Sequence, residues 1–384
     1  MRKTVYLDHN ATTPLCREAR DCMLANLDIN GNASSMYTSG RLARRKIENA
    51  RKLVGELIGA SASEILFTSG GSEANNMVLR SIQKTTGRDA RVIVSSIEHP
   101  SVLNTAEDMG LQGADVIYLP VDKSGKIKMK SLECALEKGA ALISVMLANN
   151  ETGTIQDIKE VVRLAKQAGV SVHTDAVQAI GKIPIDVEHL GADYLTISAH
   201  KIYGPKGVGA LFVRGGAKIS PLILGGHQEG GLRAGTYNCL GITGFGQAAE
   251  AAVKNIAEYG HKTRDLRDRL KNGIMQNVPK SILNGHELDS LPNTLNMSFP
   301  GAEGESILLA LDHEGIEVST GSACASDDLA PSHVLMAMGK DPELAHGSIR
   351  FSLGYDNTED EIDYVIKVLP PIVAKLRAMS TVGY

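Results

Sequence analysis

What most limits the fold of this chain is the steady alternation of short apolar runs with helix-length segments over its first 240 residues. Residues 40–58 place Leu42, Ala43, Ile47, Ala50, Val54, Leu57 and Ile58 at helical spacing. "EILFT" (64–68) then reads as a strand and "SEANNMVLRSIQ" (72–83) as a helix. Further strands are expected at "RVIVSS" (91–96), "ADVIYLP" (114–120), "ALISVMLA" (141–148), "VSVHT" (170–174), "DYLTIS" (193–198) and "GALFV" (209–213). Between them lie an amphipathic helix over 157–168 and a helix that Ser131 is expected to cap. A strand–helix rhythm of this kind predicts a mostly parallel sheet covered on both faces.

From about residue 241 the pattern changes. A long helical stretch runs to about 277, followed by "NTLNMSF" (293–299), a helix near 304–314, "IEVST" (316–320), a helix near 332–338 and "SIRFSL" (348–353). A last helix starts at Thr358 and is expected to kink or break at Pro370-Pro371. This predicts a large α/β domain followed by a smaller α+β domain, with the boundary inside the long helix.

Composition removes several classes of function. The formal charge is −4, so no polyelectrolyte attraction draws the chain to nucleic acid or to an anionic membrane. With no Trp, 5 Phe and 10 Tyr, a stacking platform for single-stranded nucleic acid is not expected. No apolar run approaches the ~18 residues of a membrane span, and the N-terminus carries no apolar signal segment. The five cysteines (Cys16, Cys22, Cys134, Cys239 and Cys324) are odd in number and form no C-x-x-C pair. That argues against a disulfide framework or zinc ribbon and for a reducing compartment.

Four segments follow predicted strands, where open α/β sheets bind ligands. "TSGGSEANN" (68–76) opens a helix, and its free N–H groups with the Ser72 hydroxyl suit a phosphate; a plain glycine turn is the alternative. "IEHP" (97–100) sets His99 where it could stack on a ring or move a proton, or serve structure alone. In "VHTDAVQ" (172–178), Asp175 could hold a pyridinium N–H, with Gln178 three residues on, or else cap a helix. "SAHKIYGPKG" (198–207) offers Lys201 as a Schiff-base amine on a rigid turn, or as a surface lysine. Together, a phosphate cradle, an imidazole, an aspartate and a lysine are the parts that hold pyridoxal 5′-phosphate. Beyond them, Cys324 stands among small residues in "VSTGSACAS" (318–326), while the other four cysteines are read as buried structural thiols. Arg350, mid-strand in "SIRFSLG", needs an anion, either a substrate carboxylate or an internal salt bridge.

These segments closely resemble the NifS/IscS cysteine desulfurases of the class V aminotransferase group. The likeness extends to "YLDHNATTP" (6–14), "NNETGTIQ" (149–156), "HTDAVQAIGKIP" (173–184), "GGHQEGGLRAGT" (225–236), "GSACAS" and "PSHVLMAMG" (331–339). The short spacing from "GSAC" to "SHVL" is similar to the NifS/IscS branch rather than the SufS-like one. The resemblance implies the pyridoxal-phosphate fold type I. Its large domain carries a mostly parallel seven-stranded sheet covered by helices (residues 16–260), and a small α+β domain takes 1–15 and 261–384. It implies a cytoplasmic homodimer converting L-cysteine to L-alanine. Sulfur would leave on Cys324 as a persulfide, bound for an iron–sulfur scaffold protein of the NifU/IscU kind.

By the same resemblance Lys201 would bind the cofactor aldehyde, Asp175 would face the pyridine nitrogen, Gln178 the ring oxygen, and His99 would stack on the ring and help in proton transfer, so that His99, Lys201 and Cys324 would be the catalytic residues. Gly71, Ser72, Ser198 and His200 would hold the phosphate, with Thr236 reaching it from the partner subunit. Asn150 would contact cofactor and substrate, and Arg350 the cysteine carboxylate. The chain departs from the family pattern at Ala33 and Tyr37 in "GNASSMY" (31–37), where proline and histidine are usual, at His9 in a variable slot, and at Gly230. Another class V activity, a selenocysteine lyase or a small-amino-acid aminotransferase, is the nearest alternative. A scaffold-binding protein without catalysis is a remoter one.

Overall fold

A computed structural model describes residues 4–320 and 330–379. The large part runs β1 (Val5–Tyr6), α1 (Arg17–Ala25), α2 (Thr38–Ile58), β2 (Ile65–Thr68), α3 (Gly71–Thr86), β3 (Arg91–Ser95), α4 (Pro100–Leu111), β4 (Asp115–Leu119), α5 (Met129–Glu137), β5 (Leu142–Ser144), α6 (Ile158–Ala168), β6 (Ser171–Asp175), α7 (Val187–Leu190), β7 (Tyr194–Ser198) and β8 (Gly209–Val213). After these come α8 (Cys239–Asn277), β9 (Ile282–Asn284), β10 (Thr294–Ser298), α9 (Gly304–His313), β11 (Ile316–Glu317), β12 (Ser319–Thr320), α10 (His333–Ala337), α11 (Pro342–His346), β13 (Ser348–Ser352) and α12 (Glu359–Met379).

Seven strands form one sheet in the order β2-β8-β7-β6-β5-β3-β4. Strands β3 to β7 are mutually parallel, and β8 runs antiparallel to both β7 and β2. The expected mostly parallel, seven-stranded sheet is therefore present. Alternation along β3 shows why both faces are covered. Val92 and Val94 join the cluster under α3 and α4, and Ile93 between them joins the cluster under α2, α6 and α8. Because β2 shares the direction of β7, the carboxyl ends of β2, β3, β5, β6 and β7 open on one edge. β3 lies between β4 and β5, so the chain reverses its direction of travel across the sheet there, a switch point of the kind where ligands bind.

The smaller C-terminal domain is built on an antiparallel sheet, β12-β13-β10-β9. Its core packs Met297, Ile349 and Phe351 against Leu270 and Ile274 of α8 and Leu369 and Val373 of α12. The N-terminal segment joins this core through Val5 and Leu7, and β1 pairs with β11.

Three local expectations need correction. α12 is not broken at Pro370-Pro371 but runs through them to Met379. The prolines remove two N–H donors, yet Ile362, Val365, Leu369 and Val373 keep one apolar stripe buried on both sides of the pair, and that packing outweighs the lost bonds. Ser131 does not cap α5, which starts two residues earlier at Met129, so the serine lies in its first turn. The four described cysteines are free, as read, but none is fully buried and Cys134 is exposed. Cys16 instead caps α1, its sulfur accepting the Ala19 N–H at 3.4 Å, and partial burial pushes the Cys16 and Cys239 thiols up.

Candidate active site

The five open strand ends enclose a cavity of about 340 Å³. Asp175 closes β6 and is 5% exposed. Its Oδ1 accepts the Val177 N–H at 2.9 Å and its Oδ2 accepts Asn75 Nδ2 at 2.7 Å. Two donors thus orient an acceptor-only group toward the cavity it lines. Four residues beyond β3, His99 caps α4, with Pro100 fixing the first helical position. His99 Nδ1 accepts the Ser101 N–H at 3.1 Å, which places the neutral ring's proton on Nε2. Burial, helped by the positive charges of Lys201 and His333 and opposed by Asp175, lowers the His99 pKa, so the ring is neutral near pH 7.

Lys201 ends the short 3₁₀ turn Ala199–Lys201 after β7. Its Nζ donates to the main-chain oxygen of Asn10 and, at 2.9 Å, to that of Ala11. The turn is held by Tyr203, whose φ of 63° is left-handed and whose N–H donates to Thr13 Oγ1 at 2.7 Å. A Cβ on Gly204 would meet the Ala199 carbonyl oxygen at 2.8 Å, so the tight turn requires glycine there.

Gly71 and Ser72 start α3, a 16-residue helix whose first N–H groups face a contiguous cavity shared with Ser198 and His200. A Cβ on Gly71 would meet Val177 Cγ2 at 2.9 Å. Burial and the nearby Lys201 push His200 down to about 4, and its Nδ1 lies 3.2 Å from Thr12 Oγ1.

From the smaller domain, Arg350 reaches the cavity from the middle of β13. Its Nη2 pairs with Asp8 Oδ1 at 2.7 Å and its Nη1 donates to the Asn150 carbonyl oxygen at 3.1 Å. An internal salt bridge is therefore present, yet among the described residues the buried Nε has no partner. Asn150 lines the same cavity.

Ten of the expected residues thus line one cavity: Gly71, Ser72, His99, Asn150 and Asp175, with Gln178, Ser198, His200, Lys201 and Arg350. Thr236 is exposed and does not line the cavity of its own chain. Cys324 lies outside the described residues. Ala33 is buried away from the cavity and Tyr37 stands at the start of α2, so neither departure touches it. At Gly230 φ is 65°, which suits glycine.

Four further residues escaped the sequence reading. Asn10 offers its carbonyl oxygen to Lys201, Asn75 holds Asp175, Asp8 pairs with Arg350, and Lys182 is buried behind Gln178. Asp8 and Asn10 stand in "YLDHNATTP" and Asn75 in "TSGGSEANN", motifs noted without roles for these positions.

The profile of the family described as "Aminotransferase class-V" matches residues 5–365. The chain belongs to the class-V aminotransferase family. Among class-V relatives, "Cysteine desulfurase IscS" of Dictyoglomus turgidum is 47% identical over 384 residues, covering 99% of this chain and 97% of that one. "Cysteine desulfurase IscS" of Methanosarcina thermophila is 48% identical over 380 residues, covering 98% and 94%. A solved structure, "NIFS-LIKE PROTEIN", superposes with a TM-score of 0.91 at 40% identity, covering 97% of this chain and all of that one. "SspA in complex with cysteine" superposes with a TM-score of 0.81 at 34% identity, covering 91% and 99%. The resemblance to NifS/IscS enzymes is borne out by these class-V neighbours.

Proposed function

We propose that this chain is a pyridoxal-phosphate-dependent cysteine desulfurase that converts L-cysteine to L-alanine and carries the sulfur on Cys324 for iron–sulfur cluster assembly. One observation carries the reading: a lysine amine, a doubly anchored carboxylate, a neutral imidazole and a helix N-terminus converge on one cavity from four strand ends. The donor set fits the cofactor. Gly71 leaves the α3 N-terminus open to a phosphate, which Ser72, Ser198 and His200 would hold. Asp175 would hold the proton on the pyridine nitrogen, Gln178 would face the ring oxygen, and the His99 ring would stack on the pyridine face. Bound there, pyridoxal phosphate supplies an electron sink for negative charge on the substrate's α-carbon.

The chain's own groups do the rest. Lys201 Nζ anchors the cofactor and moves the substrate α-proton, kept in place until then by the Asn10 and Ala11 carbonyls. The Arg350 Nε, which has no partner among the described residues, receives the substrate carboxylate with Asn150 beside it. The Cys324 thiolate forms a bond to the substrate sulfur as the carbon–sulfur bond breaks; the electron pair of that bond stays with the β-carbon, which takes up a proton to become the methyl of alanine, and the persulfide is left on Cys324.

The sulfur acceptor is proposed to be a NifU/IscU-like scaffold protein. Thr236, exposed here, would reach the phosphate of a partner subunit in a homodimer. A cytoplasmic location accords with the free cysteines. Among the described residues no helix is long and apolar enough to cross a membrane. The division into residues 16–260 and 1–15 plus 261–384 is supported by Val5 and Leu7 packing with Ile316 and Phe351.

The test is to add L-cysteine and a thiol reductant to the purified protein and assay the carbon product. Alanine formed in step with sulfide is expected. A keto acid, or cofactor absorbance that ignores L-cysteine, would overturn the reading.

A further inference from the structure

Lys182 is four residues beyond Gln178 and only 3% exposed. Its Nζ donates to Asn10 Oδ1 and to Gln178 Oε1, each at 2.9 Å. Among the described residues it makes no ion pair with a carboxylate, and its charged neighbours are cationic: Lys201 and Arg350. His9 and His200, which also feel its charge, are both pushed down to about 4, chiefly by burial. Burial and the two cations push the Lys182 amine well below the ordinary lysine range. Taking such a group out of water costs several kcal/mol, and an apolar side chain of similar volume would fill the space at less cost. The reason for an amine here lies in its two hydrogen bonds.

A glutamine amide can rotate by half a turn and exchange its oxygen for its nitrogen. Gln178 has no such freedom. Lys182 donates its N–H to the amide atom facing it, so that atom is the oxygen. The Asn10 main-chain oxygen is acceptor-only, and Gln178 Nε2 donates to it at 2.9 Å. Both neighbours enforce one orientation. Gln178 lines the cavity with Asp175 and Lys201, so the amide's remaining N–H is the hydrogen-bonding group it has left to offer there. The second bond of Lys182 acts in the same direction. It fixes the Asn10 side chain, and the main-chain oxygen of Asn10 is the one that accepts from Lys201.

We propose that Lys182 is a positioning residue that locks the Gln178 amide so that it presents an N–H, and not a carbonyl oxygen, to the ring oxygen of the cofactor. An N–H there stabilises negative charge on that oxygen, whereas a carbonyl oxygen repels it. The inference rests on the placement of the ring against Gln178 proposed above, and the experiment separates the two.

The readout is the pH titration of the visible absorbance of the resting holoenzyme, with circular dichroism as a check of folding. Lys182→Met and Gln178→Met are each expected to move the midpoint by about one pH unit, a tenfold change in the proton equilibrium. The double variant is expected to move it no further. A shift in Gln178→Met but not in Lys182→Met overturns the role of Lys182 and leaves the ring placement intact. No shift in either overturns the placement and the inference together. Should Lys182→Met not fold, Lys182→Gln takes its place. Its amide fills the space but can present an oxygen as well as an N–H to Gln178, so the lock is lost and a displaced midpoint is expected; an unchanged titration overturns the proposal.

Discussion

Arg350 is the residue whose chemistry is divided most evenly between structure and substrate. Asp8 and the Asn150 carbonyl take its two Nη atoms, and Nε is buried with no partner among the described residues. Arg350→Ala is expected to weaken cysteine binding by about 2–4 kcal/mol, the usual loss for a desolvated charge pair, read as a rise in KM for L-cysteine. An unchanged KM would mean that Asp8 is its whole business. Lys201 and Cys324 separate two chemistries. Lys201→Ala is expected to abolish the yellow absorbance of the cofactor-loaded protein. Cys324→Ala is expected to keep that absorbance and stop sulfur release; sulfide and alanine at the parent rate would show that no protein thiol carries the sulfur.

At this scale the sequence discloses the groups that act on ligands but not those that hold them. Lys201, Asp175 and Ser72 stand out because polar residues follow apolar strands at glycine-rich turns. Asn75 and Lys182 do not, because the partner of Asn75 and one of the two partners of Lys182 are remote. Asn75 meets Asp175 across 100 residues of sequence, and Lys182 meets Asn10 across 172. Periodicity reports neighbours three or four residues away and is blind to these.

The elements themselves are legible where local chemistry decides them. α6 shows this well: Asp157 caps it by accepting the Glu160 N–H at 3.1 Å, Gly169 ends it at a φ of 68°, and Val161, Val162 and Ala165 are buried beneath it. Asp157→Ala is expected to cost about 1 kcal/mol, seen as a lower urea midpoint at an unchanged slope. A loss of several kcal/mol would show that Asp157 does more than cap. Where packing overrides local preference the reading fails, as at Pro370-Pro371. The strand expected over 141–148 fails in another way. Only Leu142–Ser144 pair on both sides, yet the Val145 and Leu147 N–H groups still donate to β6 at 3.1 and 2.8 Å. The chain peels gradually from β3 while remaining beside β6, and no pattern of side chains records that.

For the whole molecule, buried titratable groups set the response to acid. His173 is fully buried between Ser144 Oγ at 2.8 Å and Thr196 Oγ1 at 3.0 Å, and burial lowers it to about 4 despite the opposing charge of Asp175. The unfolded chain takes up a proton at its ordinary value of 6.5, which the folded ring refuses until about pH 4. The His173 contribution is therefore complete above pH 6.5 and lost as pH falls toward 4, by on the order of 3 kcal/mol. Glu98 and Glu151 act in the opposite sense, because burial raises both carboxyls, Glu151 to about 7. Their contribution is present below the ordinary carboxylate value and is lost as pH rises through the raised one. Comparison of His173→Gln with its parent isolates the histidine. Between pH 7 and 4 the variant should lose on the order of 3 kcal/mol less stability in urea titrations. Parallel curves would show that the ring is not held neutral.

The position of the N-terminal segment has a consequence for synthesis. Residues 5–10 leave the ribosome long before residue 352, yet β1 pairs with β11, Asp8 bridges to Ser352, and the Asn10 N–H donates to Ser352 Oγ at 2.9 Å. The Asn10 carbonyl that accepts from Lys201 is also held by Gln178, and the Asn10 side chain by Lys182, while the contact with Ser352 is added only once residue 352 has been made. The amine is complete early, and the last support of the segment that aims it comes from the smaller domain.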